Sequence, residues 1–207
     1  AIDKLLSGKI RVAFITCSPG DGEFPKSGGK NKNYCNAFLE TVNHFYHRGG
    51  GVVWCLEHYP YTYEADLYFK KFYGYVIVKD KEKKIDGGKT MTREKSETPT
   101  SGHFVTYGGD VLDVMRIAKL DFGLTAIYEG ETLCEMDEEK LVSNGFRVFA
   151  RESTGCASIV FKPNGNDSDG RMVIDTAASK LFKEFTFKGT ARWISNAAVW
   201  LCNSGQY

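Results

Sequence analysis

The chain has 207 residues and a formal net charge of +1, with 42% hydrophobic and 26% charged residues. This length suits one domain with a continuous core, and the balanced charge argues against a nucleic-acid-binding surface or a polybasic membrane patch. No stretch approaches the roughly 20 apolar residues of a membrane-spanning helix, and residues 1–10 lack the apolar segment of a signal peptide. We therefore expect a single cytoplasmic domain over residues 1–207 that binds neither nucleic acid nor membranes.

The cysteines and histidines do not form a metal-binding pattern. The six cysteines never stand as Cys-x-x-Cys, and most lie in apolar segments: Cys17, Cys35, Cys55, Cys134, Cys156 and Cys202. This pattern is typical of free, buried thiols in a reducing compartment. The four histidines do not stand at zinc-ligand spacing from the cysteines, and His44 and His47, although three residues apart, are more typical of a solvated helix face. We expect no metal and no cofactor.

The first third of the chain alternates predicted strands and helices. Short β-branched apolar runs indicate strands, and apolar residues at helical spacing indicate helices. Gly49 and Gly74 are typical helix-ending residues. In chain order the predicted elements are a strand over 9–17, a helix over 31–48, a strand at "GVVWCL", a helix over 59–74 and a strand over 73–80.

The second half of the chain is richer in predicted strands. In chain order it contains a short helix over 111–118, an extended segment over 124–136, strands over 146–153, 156–163 and 171–178, and a closing amphipathic helix over 189–203. Arg192, in the first turn of that helix, has the wrong sign for the helix dipole, and Asp175 is its predicted partner. Strand–helix–strand units predict parallel pairing with right-handed crossovers, whereas successive strands predict antiparallel pairing. The expected fold is a three-layer α/β domain with a mostly parallel central sheet and an added antiparallel strand portion.

Three stretches carry a family resemblance: "FLETVNHFYHRGGGVVWCLEHYPYTYEADLYFKKF", "LTAIYEGETL" and "GRMVIDTAASKLFKEFTFKGTARWISNAAVWL". Together they resemble class I glutamine amidotransferase-like domains of eukaryotic multidomain proteins, some of which also carry von Willebrand A domains. The resemblance spans most of residues 30–203 and implies a flavodoxin-like sandwich. ThuA-like domains share this general plan, so a carbohydrate-related domain is a further alternative.

Cys55 is the candidate nucleophile that the resemblance implies, because active members of the superfamily carry a cysteine at the end of a strand. An activating histidine and an acid would then be needed. The candidates for these catalytic roles are Glu57, His58 and His103.

The residues beside Cys55 argue against this role. Active members place glycine next to the cysteine, because the backbone turns sharply there and an oxyanion must approach backbone N–H groups. Here Trp54 and Leu56 are bulky, and the next helix begins only near Pro60, too late to favour a thiolate. The nucleophile elbow is therefore not preserved. Two interpretations stay open: Cys55 is a structural residue, or it is the nucleophile of a cysteine-dependent enzyme.

The segment from Tyr59 to Tyr75 is rich in aromatic residues: Tyr59, Tyr61, Tyr63, Tyr68, Phe69, Phe72, Tyr73 and Tyr75. One helix cannot bury all of them, so they form either an exposed contact surface or a core helix with tyrosines at its rim. We predict a noncatalytic amidotransferase-like domain that acts as a binding or assembly module and self-associates through this Tyr-rich surface. The alternative is a cysteine-dependent hydrolase or amidotransferase relative that uses Cys55.

Overall fold

The computed structural model describes residues 2–17, 30–56, 61–78, 135–151, 157–163, 169–176 and 190–202. The helices of this part are α1 Ile2–Leu6, α2 Lys30–His47, α3 Tyr63–Phe72, α4 Glu138–Ser143 and α5 Thr190–Leu201. The strands are β1 Val12–Thr16, β2 Gly51–Cys55, β3 Arg147–Arg151, β4 Ala157–Lys162 and β5 Met172–Asp175. The chain is therefore mixed α/β, as its sequence predicts.

The strands form one open sheet in the order β1-β2-β5-β4-β3. β1, β2 and β5 run parallel to one another, whereas β4 is antiparallel to both β5 and β3. The sheet thus joins a parallel part to an antiparallel part, as expected. β5 lies at its centre although it is the last of these strands in the chain.

Alternate side chains of the strands point to opposite faces of the sheet. The row that contains Trp54 in β2 lies beneath α3, where the Trp54 ring packs 5.0 Å from the ring of Tyr68. The neighbouring row contains Phe161 in β4, which meets Trp200 of α5 edge to face at 5.5 Å. α3 and α5 therefore contact different rows, and Trp54, Tyr68 and Trp200 are all buried.

Glycines let the backbone approach closely where β2 begins. Gly49 has a φ of 84°, a left-handed conformation that ends α2 and that glycine adopts without strain. A Cβ at Gly51 would lie 2.5 Å from the Cβ of Leu201 in α5. A Cβ at Gly170 would lie 1.9 Å from the carbonyl oxygen of Gly50. Gly49 is thus needed for the helix end, and Gly51 and Gly170 are needed for close packing.

The predicted strand over 73–80 is wrong for the part of it that the structure describes. Only a single antiparallel bridge forms there, between Val78 and Met136. The carboxylate of Asp66 accepts hydrogen bonds from the backbone N–H groups of Ile77 at 3.2 Å and Val78 at 3.4 Å. Because a side chain satisfies these donors, they are not available for a strand ladder.

Two observed helices, α1 and α4, were not predicted. α4 has a clear local origin, because the side chain of Asp137 accepts a hydrogen bond from the Lys140 N–H at 3.3 Å as its N-cap. Acidic residues fill its first turn, which suits the helix dipole. The predicted helix over 111–118 and nearly all of the extended segment over 124–136 lie outside the described residues.

Candidate functional site

The candidate site lies at the carboxyl ends of the three parallel strands. Thr16 in β1 is in register with Cys55 in β2, and Cys55 is in register with Asp175 in β5. Residues in register on neighbouring strands point to the same face of the sheet. A hydroxyl, a thiol and a carboxyl group therefore form one row at the edge where open α/β sheets bind ligands.

Cys55 is deeply enclosed by the chain. Its exposed fraction is 3%, and its neighbours Trp54 and Leu56 are fully buried. The carbonyl oxygen of Cys55 accepts a hydrogen bond from the N–H of Cys17 at 3.1 Å. The thiol thus belongs to a strand that has neighbours on both sides.

The strand ladder continues one residue past Cys55. The N–H of Leu56 donates a hydrogen bond to the carbonyl oxygen of Asp175 at 2.7 Å. In a nucleophile elbow, the N–H of the residue after the nucleophile helps to form the oxyanion hole. After Cys55 the corresponding donor is the N–H of Leu56, which is already hydrogen-bonded within the sheet.

The closest in-register neighbour of Cys55 on β5 is an acid rather than a base. Asp175 is 4% exposed, and Thr176 after it is fully buried. An imidazole or a cationic group favours a thiolate, whereas an ionised carboxylate disfavours it by repulsion between like charges. The predicted partner of Asp175, Arg192, has a side chain outside the described part of the structure, so that ion pair stays a prediction.

A second thiol, Cys17, lies at the same edge and was not singled out from the sequence. It immediately follows β1 and is buried together with Ala65 of α3 in the main core. Burial raises the pKa of the Cys17 thiol well above its ordinary value, and Glu64 raises it further. A hydrogen bond with the backbone of Ala65 lowers the pKa of this thiol, but burial dominates. Cys17 is therefore a protonated core residue at neutral pH.

Three of the four predicted catalytic residues, Glu57, His58 and His103, lie outside the described residues, so their roles stay predictions. Of the other two histidines, His47 is placed by a contact between its Nδ1 and Asp169 Oδ1 at 2.8 Å. Within the described part, no group of three or more His, Cys, Asp or Glu residues is arranged to hold a metal ion. Nor does any helix of this part have the length and apolar character needed to cross a membrane.

Several side chains of the Tyr-rich segment pack into an aromatic cluster, which consists of Trp54, Tyr68, Phe69, Phe72, Tyr73, Tyr75 and Phe146. Tyr68 and Phe69 are fully buried, and Phe69 stacks on Tyr73 with ring centroids 5.0 Å apart. Tyr61, in contrast, is 37% exposed at the start of the segment. Tyr59 lies outside the described residues.

The aromatic cluster also shifts the ionisation of its tyrosines. Burial, together with the negative charge of Asp169, raises the pKa of Tyr73 to about 12. Burial is also the main cause of a raised pKa at Tyr68 and Tyr75. These hydroxyl groups are therefore neutral at physiological pH.

No match to this chain exists among protein-family models, curated proteins or solved structures.

Proposed function

We propose that this chain is a noncatalytic class I glutamine amidotransferase-like domain, with a three-layer flavodoxin-like sandwich, that works in the cytoplasm as a binding or assembly module. The observation that carries the proposal is the hydrogen bond from the Leu56 N–H to the Asp175 carbonyl oxygen. It holds the chain in the sheet at the point where an amidotransferase would present its nucleophile.

Amide hydrolysis by a cysteine has two requirements at this position. The sulfur must reach a substrate carbonyl carbon, and backbone N–H groups must stabilise the oxyanion that forms. Cys55 is 3% exposed, and the N–H after it is already bonded within the sheet. Both observations support a structural role for Cys55 in a domain without amidotransferase activity.

Thiol labelling separates this proposal from the alternative, a cysteine-dependent hydrolase or amidotransferase relative. The described cysteines are free thiols, and Cys35 is only partly buried, so it serves as an internal reference. If Cys55 reacts only when the domain opens, a stability of about 5 kcal/mol slows its labelling by a factor on the order of 10³. Iodoacetamide modification followed by peptide mass spectrometry should therefore find Cys35 labelled long before Cys55. Labelling of Cys55 ahead of Cys35 in the native protein would favour the enzyme.

The assembly part of the proposal concerns the exposed end of the Tyr-rich surface. Tyr68 and Phe69 contribute to the core, so among the described aromatic residues of the Tyr-rich segment Tyr61 is the best placed to contact a second copy of the chain. An exposed aromatic side chain of this kind is typical of contact surfaces between proteins. We propose self-association through the surface around Tyr61.

Light scattering coupled to size-exclusion chromatography tests this contact. Tyr61→Ser should shift the chain towards the monomer at protein concentrations where the unsubstituted chain associates. Val142→Ser is the control, because Val142 is 51% exposed on α4 and outside the Tyr-rich segment. A monomeric unsubstituted chain at about 1 mM, the weak end of ordinary association, or equal effects of the two substitutions, would contradict the proposed surface.

A further inference from the structure

A pocket of about 130 Å³ opens at the amino end of the sheet, away from Cys55. It lies between the α1–β1 connection and the last turn of α2. Its apolar lining comes from Leu5, Leu6, Ile10 and Phe45. Arg11, His44 and Arg48 also line it, and the lining residues that the structure describes include no acid. The pocket is therefore lined by both apolar and basic side chains.

Two of the basic side chains, those of His44 and Arg48, have no acidic partner among the described residues. Within the described part of the chain, the side chains of His44 and Arg48 make no hydrogen bond and no ion pair. A guanidinium group that faces a pocket without a carboxylate is ready to bind an anion, since it offers several N–H donors in a planar fork.

The end of α2 does not oppose an anion as strongly as a bare helix end would. Its last carbonyl groups carry the negative end of the helix dipole. Three of them accept hydrogen bonds from the chain that follows: the N–H of Arg48 bonds to His44, that of Gly49 to Tyr46, and that of Gly50 to Phe45. These bonds leave the basic side chains as the main charges at the pocket.

We propose that this pocket binds a small organic anion with an apolar body and one carboxylate group, of the size of benzoate. The volume sets the size, because an apolar protein cavity of about 150 Å³ holds one benzene molecule. The ring would contact Phe45 and Leu6, and the carboxylate would meet the guanidinium group of Arg48. A ligand with so few atoms binds with a dissociation constant on the order of 0.1–1 mM.

The proposal is tested by titrating the full chain with three probes in two-dimensional NMR: benzoate, benzamide and acetate. Benzamide has the ring without the charge, and acetate has the charge without the ring. Benzoate should bind at least about tenfold more tightly than either probe, as expected when a charge-assisted hydrogen bond and apolar burial act together. Its chemical-shift changes should centre on the backbone amides of Gly8, Gly49 and Gly50, which line the pocket.

Two substitutions test the residues. Arg48→Gln should weaken benzoate binding about tenfold, whereas Arg147→Gln, the same charge change at an exposed position on β3, should leave it unchanged. Leu6→Ser should weaken binding several-fold and is a second, milder variant, because Leu6 is 47% exposed and tolerates a polar residue. The proposal is overturned if acetate or benzamide binds as tightly as benzoate, if the shifts centre elsewhere, or if benzoate does not bind. In the last case the basic residues would serve only to stabilise the end of α2.

Discussion

Removing the carboxylate of Asp66 should destabilise the fold strongly. Asp66 is 4% exposed in α3, and its Oδ1 accepts hydrogen bonds from two N–H groups, those of Ile77 and Val78. Both of these residues are buried, so Asp66→Ala leaves two donors without this acceptor. An orphaned buried donor costs about 1–3 kcal/mol. The bond from Val78 is long, so we expect a total loss of about 2–4 kcal/mol, a large share of an ordinary domain's stability.

Urea unfolding followed by circular dichroism measures this loss. With a slope of about 2 kcal/mol per molar urea, the midpoint for Asp66→Ala should fall by about 1–2 M. Asp66→Asn keeps an oxygen in place of Oδ1 and changes mainly the contact with Thr62, so it should lose about 1 kcal/mol. Glu139→Ala, at an exposed acid in the first turn of α4, should lower the midpoint by no more than about 0.5 M, because such an acid contributes at most about 1 kcal/mol through the helix dipole. If Asp66→Ala behaves like Glu139→Ala, the carboxylate does not hold this segment.

Three further predictions follow from the packing and from the pKa shifts. Gly170→Ala places a Cβ 1.9 Å from the carbonyl oxygen of Gly50 and should cost about 3 kcal/mol in thermal unfolding; a variant as stable as the parent would exclude that close approach. Asp137→Ala removes the cap of α4 and should cost about 1 kcal/mol in urea unfolding, and an unchanged midpoint would show that the cap contributes nothing. The folded-state pKa of Tyr73 is raised from 10.0 to about 12, so its contribution to stability is complete below pH 10 and is lost as the pH rises through about 12. Tyr73→Phe should flatten the fall of the urea midpoint in that window, and an unchanged profile would contradict the raised pKa.

The elements that local sequence patterns determine were predicted well. α2 and β2 match the prediction closely, because helical periodicity, a buried apolar run and a glycine with positive φ act within a few residues of one another. The same local reasoning could have found α4, since an acidic N-cap and acidic first turn precede Gly145, which also has a positive φ. This signal was overlooked in the sequence.

The features that depend on distant residues were not predictable in the same way. The segment before Val78 reads as a strand, but the carboxylate of Asp66, a residue of the preceding helix, bonds its N–H groups. The sequence leaves open whether Phe69 belongs to an exposed surface or to a core helix, and Phe146, far along the chain, packs 5.7 Å from its ring. Such contacts are set by how the elements pack together, which no local pattern contains.

In the candidate site, too, some features follow from the local sequence and others depend on how the strands pair. The position of Cys55 at the end of β2 follows from its own apolar run and was predicted. Its neighbour Asp175 was predicted as a partner of Arg192 and not as a neighbour of Cys55. That the two residues stand in register depends on the order of strands in the sheet. Periodicity says which segments are strands, but it does not say which strands pair.

The central place of β5 has a consequence for how the protein is made. More than half of the chain separates β2 from β5, its neighbour in the finished sheet. During translation, β1 and β2 leave the ribosome long before β5 does. Until β5 emerges, the edge of β2 that will pair with it has unpaired N–H and C=O groups. Edges of this kind recruit other extended chains and lead to aggregation. The nascent polypeptide is therefore most in need of a chaperone after β2 has emerged and before Met172 has been synthesised.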